Sequence, residues 1–289
     1  MKVNKRIFIV VAGLLAILIL VCGWIFPKKR PLQIIPIKIA YGLPVINVNI
    51  QEHEIQLMLN LGAHFSALTK EAIEKIQLNK ELKTTNSMDI FGKKTIHRVF
   101  SACKILIGNY LLPYLEFNEI ADFNEDFGDQ IPKTLIYGHI GREPFLDKVL
   151  FIDRKKQLCM VDQAYFNQKM DPEKYHPGKW IEANFILDKG LGISLSLTIN
   201  SEDKRDLVLD TGSNISMIND NSLKPFNFND KKKEMSLKLS DGSSLGMFSF
   251  YLFDSSSAEL QGILGFDFFD CYMVCFDFLN KKVFLKKYD

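Results

Sequence analysis

One pattern occurs twice in this chain, 150 residues apart, and constrains its fold more than any other feature. LMLNLGAHFS occupies residues 57–66 and LVLDTGSNIS residues 207–216. Aligned without a gap, Leu57, Leu59, Gly62 and Ser66 fall on Leu207, Leu209, Gly212 and Ser216, while Asn60 and Leu61 fall on Asp210 and Thr211. Each is an apolar run that ends in a glycine turn, the signature of a strand delivering one polar side chain into a tight loop.

The repetition extends on both sides. IIPIKIAYG, LPVINVNI and EIQLMLNLGA in the first half are answered in the same order by KWIEANFIL, GISLSLTIN and RDLVLDTGS. All are rich in Ile, Val and Leu and broken by Gly, Pro or polar clusters, which reads as strands and hairpins. Each half then reaches a stretch that reads as the start of a helix, SALTKEAIEKIQL and SMINDNSLKPF, the first with helical apolar spacing. Two alternating segments around a turn follow, near Gly92 in the first half and at Asp241 and Gly242 in the second. Asp-Gly between alternating runs is a strong hairpin signal. Both halves close alike, GHIGREPFLDKVLFID at 138–153 matching GILGFDFFDCYMVCFD at 262–277, so that Gly138, Gly141, Phe145 and Asp153 fall on Gly262, Gly265, Phe269 and Asp277. A repeat of this length and order specifies two equivalent units. The polar, Pro-bearing stretch at 162–178 reads as their linker. The expected fold is all-β, with lobe 1 over residues 31–165 and lobe 2 over 166–289.

Ahead of the lobes, residues 7–26 (IFIVVAGLLAILILVCGWIF) carry no charge and are long enough to cross a bilayer as a helix. We read residues 1–30 as a short tail and an uncleaved transmembrane anchor. The alternative is a cleaved signal peptide, but the run is long for one and no small-x-small site follows it. Lys2, Lys5 and Arg6 face Lys28, Lys29 and Arg30 across the run, so the flanking charge tips only slightly toward a cytoplasmic N-terminus. The expectation is a single-pass protein with its body outside the cytoplasm, periplasmic or extracellular.

The formal charge of +2 belongs to this leader, which holds six Lys or Arg and no acid; the remainder has 30 basic against 34 acidic residues. No basic nucleic-acid face is present. Beyond the anchor stand Cys103, Cys159, Cys271 and Cys275, without CxxC or zinc spacing. Buried thiols are the simplest reading. Cys271 and Cys275, four apart on a strand, are too distant for one disulfide, and other pairings stay open in an oxidising compartment.

With these motifs in place, the chain resembles the pepsin and retropepsin group of aspartic proteases. LVLDTGSNIS looks like that group's active-site strand and loop, the segment from Gly262 to Leu285 resembles its closing segment, and IGREPF at 140–145 is similar to the Gly-Arg-Asp/Asn turn of the retroviral type. The resemblance implies two pseudo-symmetric β lobes around a peptide cleft, with one Asp from each lobe, a hairpin flap and no cofactor or metal. The flap candidates are Gly92, Asp241 and Gly242. The implied mechanism has two carboxylates sharing one proton, since like charges so close cannot both ionise. One activates water and the other protonates the peptide carbonyl.

Asp210 fits one of these roles, flanked by loop residues Thr211, Gly212 and Ser213. Its lobe-1 counterpart is Asn60, followed by Leu61, Gly62 and Ala63. An amide neither accepts nor releases a proton in this chemistry, though it still hydrogen-bonds. Leu61 also lacks the hydroxyl by which the group's Thr bonds across the two loops. No replacement acid stands out: His64 reads as a loop histidine, Glu52, His53 and Glu54 as a solvated turn, and Glu143 and Asp267 as matched structural acids. The sequence thus points to a membrane-anchored protein of protease-like fold with peptidase activity impaired or lost, its cleft suited to an extended peptide. The alternatives are an active endopeptidase that pairs two Asp210-bearing lobes by self-association, against which lobe 1 already occupies the matching face, and an envelope assembly or scaffold protein.

Overall fold

Period-two burial builds the strands from the chain upward. In His53–Leu59, Ile55, Leu57 and Leu59 turn inward, while Glu54 lies on the surface. Met58 is buried too, on the opposite face, because the end of this strand is covered on both sides. Leu207, Val208 and Leu209 repeat the arrangement in the second half. The hairpin before each strand turns through two residues with left-handed backbone, Gln51 and Glu52 in one half, Asn200 and Ser201 in the other. Positive φ at both central positions suits the twist of a two-residue hairpin.

The computed structural model describes residues 32–88, 94–121, 136–163, 170–188, 190–220, 229–253 and 259–289, all within one unit spanning Leu32–Asp289. Residues 7–26, the expected anchor, lie outside the described residues, as do Gly92 and the lobe boundary near 165. Among the described residues, no helix is long and apolar enough to cross a membrane.

Lobe 1 contributes β1 (Gln33–Ala40), β2 (Leu43–Ile50), β3 (His53–Leu59), β4 (Ser66–Thr69), β5 (Glu81–Met88), β6 (Lys94–Ile107), β7 (Tyr110–Ile120), β8 (Gly138–Ile140), β9 (Lys148–Asp153) and β10 (Leu158–Gln163). Lobe 2 contributes β11 (Ile181–Asn184), β12 (Ile186–Asp188), β13 (Gly192–Ile199), β14 (Asp203–Leu209), β15 (Met217–Asn219), β16 (Asn229–Leu239), β17 (Ser244–Phe253), β18 (Gly262–Leu264), β19 (Tyr272–Asp277) and β20 (Lys282–Lys287). Strand order in the two lobes is the same except that, among the described residues, lobe 1 carries one more strand at its edge, β5. In lobe 1 it runs β1-β2-β3-β8-β4-β7-β6-β5, and in lobe 2 β12-β13-β14-β18-β15-β17-β16. The mostly β chain is therefore duplicated in space as in sequence.

This matching corrects one expectation. β6 pairs with β2 through Val48↔Ile107, and β16 pairs with β13 through Thr198↔Lys238, so β16 stands where β6 stands. The turn at Asp241 and Gly242 is then the counterpart of the β6–β7 turn at Gly108, not of the hairpin around Gly92. β5 has no lobe-2 counterpart among the described residues. Alternating hairpins look alike in sequence, and only long-range pairing separates them.

The first helix expectation is narrowed: Ser66–Thr69 is strand, and the helix is the short Lys70–Lys75, capped by the Thr69 hydroxyl accepting from the Ala72 amide. In lobe 2 Met217–Asn219 is strand β15, the counterpart of β4, and residues 221–226 of the second expected helix lie outside the described residues. Nor is the linker region loose where it is described: Tyr175 and Trp180 pack on Phe151, and Trp180 Nε1 donates to His176 O at 2.9 Å.

The closing strands join the lobes. β9 and β19 pair antiparallel with Phe151 opposite Cys275, its own counterpart in the duplication, so a pseudo-two-fold axis passes between them. β10 and β1 continue this sheet on one side, β20 and β11 on the other. Every residue of Tyr272–Asp277 is buried, as a strand covered on both faces requires. Arg154 adds a cross-lobe tie, donating to Phe266 O at 3.0 Å, stacking on the Phe266 ring and pairing with Asp270.

Because the central strands are shared, unfolding of the lobes is expected to be one transition. Phe276, fully buried in β19 and stacked 5.5 Å from Phe278, is a direct probe. Phe276→Ala is expected to lower stability by about 3–5 kcal/mol, from lost burial and the cavity left behind, while urea unfolding stays a single step.

Candidate functional site

Asn60 and Asp210 come to equivalent places by equivalent means. β3 runs parallel to β8 (Leu59↔Ile140) and β14 parallel to β18 (Leu209↔Leu264). The ladders end with Asn60 N donating to Ile140 O and Asp210 N donating to Leu264 O, both at 2.9 Å. Leu59 and Leu209 point into the main core, so the next residue of each strand presents the opposite face.

The two loops press against each other. A Cβ at Gly62 would collide with the Asp210 carboxylate, and one at Gly212 would lie 2.6 Å from Asn60 Nδ2. Glycine at both positions is therefore a steric requirement of the close approach. Thr211 carries the polar connection: its buried hydroxyl donates to Leu59 O at 2.7 Å and accepts from Leu61 N at 2.9 Å. Leu61, its counterpart, is fully buried and returns no hydrogen bond from its side chain. The grip between the loops is one-sided.

Beneath each loop sits a matched support. Ser66 Oγ accepts from Gly141 N at 3.0 Å, as Ser216 Oγ accepts from Gly265 N at the same distance. Glu143 Oε1 accepts from Ser66 N at 2.7 Å; Asp267 accepts from Ser216 N at 2.9 Å and from its hydroxyl at 2.6 Å. Glu143 and Asp267 are thus structural partners of these serines. The longer Glu143 side chain leaves Oε2 buried without a hydrogen bond, and burial pushes its pKa up to about 7.

Arg142, one of the most completely buried side chains, runs behind the lobe-1 loop. Nη1 donates to Gly62 O at 2.7 Å and Nη2 to Asp188 O at 3.0 Å in lobe 2. Burial lowers its pKa, opposed by the carboxylates of Glu143, Asp188 and Asp210. The sequence hinted at this only as an Arg within an apolar closing block; the reach across the lobes was not readable from it.

Asp210 Oδ1 accepts from Gly212 N at 2.7 Å. The carboxylate keeps partial surface access but is ringed by protein, and this desolvation raises its pKa, against the amides of Gly212 and Gly62 and the charge of Arg142. Asn60 Oδ1 accepts from Ala63 N at 3.0 Å. The site therefore holds one ionisable carboxylate facing one amide. Ser213 turns its hydroxyl to Ile215 O at 2.7 Å, away from this pair.

Other sequence candidates lie elsewhere. His64 packs edge-on against Phe65 at 4.4 Å. Glu52 and Glu54 are exposed. Asp241 is exposed and accepts from Ser243 N at 2.8 Å within its own turn, and nothing approaches Gly242 within 4 Å. Cys103, Cys159, Cys271 and Cys275 are free thiols. Among the described residues, no group of His, Cys, Asp or Glu is arranged to hold a metal ion.

No protein-family model matches this chain, and no curated protein matches it in sequence. Solved structures do match. Basic 7S globulin from soybean is similar over 90% of this chain and 95% of its own, with a TM-score of 0.56 at 10% identity. Aspartic proteinase from Irpex lacteus is similar over 89% and 97%, with 0.55 at 9% identity. Conglutin gamma, a basic 7S globulin from lupine seeds, is similar over 91% and 96%, with 0.56 at 9% identity. The chain has the fold of pepsin-like aspartic proteases. One of these neighbours is named a proteinase and two are named globulins, so activity has to be argued from the site.

Thr211→Val is expected to lower stability by about 2–4 kcal/mol, because Leu59 O and Leu61 N both lose their buried partner; urea denaturation measures this. Glu143 supplies a pH test. Its proton is held more tightly in the folded state, so its contribution to stability is greatest at low pH and falls as pH rises from about 4.5 to about 7. Glu143→Gln is expected to flatten stability over that window.

Proposed function

We propose that this chain is a membrane-anchored protein of aspartic-protease-like fold whose cleft binds an extended peptide and does not hydrolyse it. The observation that carries the reading is the pairing of Asp210 with Asn60 at the equivalent positions of the two lobes. Hydrolysis by this fold needs a proton shared between two acids, one to activate water and one to protonate the carbonyl. Asn60 supplies neither function, and its Oδ1 is already engaged by Ala63 N.

What surrounds the pair supports retention of a binding cleft. The glycines at 62 and 212, the serines at 66 and 216 and their acids hold both loops in matched geometry. Binding an extended peptide by its main chain needs backbone partners and not a second acid. Self-association to recruit a second Asp210 would have to displace lobe 1 from Thr211, whose hydroxyl already bonds both Leu59 and Leu61. For the anchor, the support is the uncharged run at residues 7–26, long enough to cross a bilayer as a helix; in our reading the body stands outside the cytoplasm.

The test is turnover by the full-length chain, purified in mild detergent, on a randomised octapeptide pool between about pH 3 and pH 7. Wild type is expected to give no cleavage that depends on Asp210. Turnover abolished by Asp210→Asn would overturn the reading.

A further inference from the structure

Asn60 holds its amide in one orientation. Ala63 N–H needs an acceptor, so the oxygen of the amide faces it at 3.0 Å and the NH2 group is turned the other way. Among the described residues that NH2 makes no hydrogen bond, and it is not sealed from solvent. Opposite it, Gly212 N donates to Oδ1 of the Asp210 carboxylate and the Gly62 amide also bonds the carboxylate, whose remaining lone pairs can still accept. Each side chain lies against the other loop's glycine, which brings donor and acceptor together at the junction of the two loops.

We propose that Asn60 is a peptide-binding residue: its Nδ2 donates to a main-chain carbonyl of the bound peptide, while Asp210 accepts the N–H of the same residue. This deepens the peptide-binding reading above and rests on it. A residue in an extended chain points its N–H and C=O to the same edge, which is how strands pair in an antiparallel ladder. A donor beside an acceptor matches that edge. Two carboxylates would present acceptors alone, and would take a carbonyl only through the proton they share. Replacing one acid by an amide thus converts a water-activating pair into a main-chain clamp, and the substitution gains a binding role as it loses the chemical one.

Asn60→Ala removes the donor without adding charge, while Asn60→Asp keeps an acceptor for Ala63 N and exchanges the NH2 for a second carboxylate, which at pH 7 takes a carbonyl only through a proton shared with Asp210. The full-length chain is panned against the randomised octapeptide pool, and the best binder is resynthesised with a fluorophore and titrated at pH 7 by anisotropy. We expect Asn60→Asp and Asn60→Ala to bind it at least about tenfold more weakly than wild type, the effect of losing one good hydrogen bond. Thermal unfolding of each variant controls for folding, and if Asn60→Ala does not fold, Asn60→Asp decides. Affinities within twofold of wild type would overturn the role of Asn60 and leave the peptide-binding reading standing. If no peptide binds wild type, that reading falls, and the role of Asn60 with it.

Discussion

The hydroxyl of Thr211 is the point on which the site depends. It joins the lobes where their two glycine loops meet, satisfying a carbonyl on one side of Asn60 and an amide on the other. In a dry, close-packed position such bonds are worth most through the cost of leaving them unmade. The opposite position holds Leu61, which contributes apolar packing where a second hydroxyl would complete the symmetry. The site is thus a two-fold scaffold with a one-fold chemistry: the loop geometry is shared by both lobes, while the bridging hydroxyl and the carboxylate at the loop tips come from lobe 2 alone.

That division separates residues by what they are asked to do. Ser66 with Gly141 and Ser216 with Gly265 repeat to within the same hydrogen-bond length, and the acid beneath each pair serves its serine. These are requirements of the loop's shape, which any occupant of the cleft uses. Asn60 and Leu61 sit where catalysis alone would demand Asp and Thr. An amide whose oxygen is tied down and whose NH2 faces outward is a poor acid or base and a serviceable donor. In the function proposed above, this chemistry serves recognition of main chain in place of scission.

Much of this was readable in the residues. Repeated Gly, Ser and closing blocks located both loops, and period-two burial located the strands that carry them. What escaped the sequence was long-range. The hairpins at Gly92 and at Asp241–Gly242 have the same alternating texture, yet strand pairing matches the second to the Gly108 turn. Local pattern cannot rank them, because register against β2 and β13 is set by residues tens of positions away. KVLFID and YMVCFD stood out in the sequence only as parts of matched closing blocks, with no local sign that the two would pair with each other across the pseudo-two-fold. Arg142 and Arg154 likewise gave no local sign of crossing between lobes.

In the function we propose, the fold's scaffold is kept and the first acid and its neighbouring hydroxyl are what hydrolysis lacks. Peptide hydrolysis by the double variant Asn60→Asp/Leu61→Thr, in acid, tests it most directly. The account predicts that the variant cleaves peptides and that Asp210→Asn removes the activity, with wild type inert in the same assay. A correctly folded double variant that remains inert would contradict it, because the inactivity we propose would then rest on something other than these two residues.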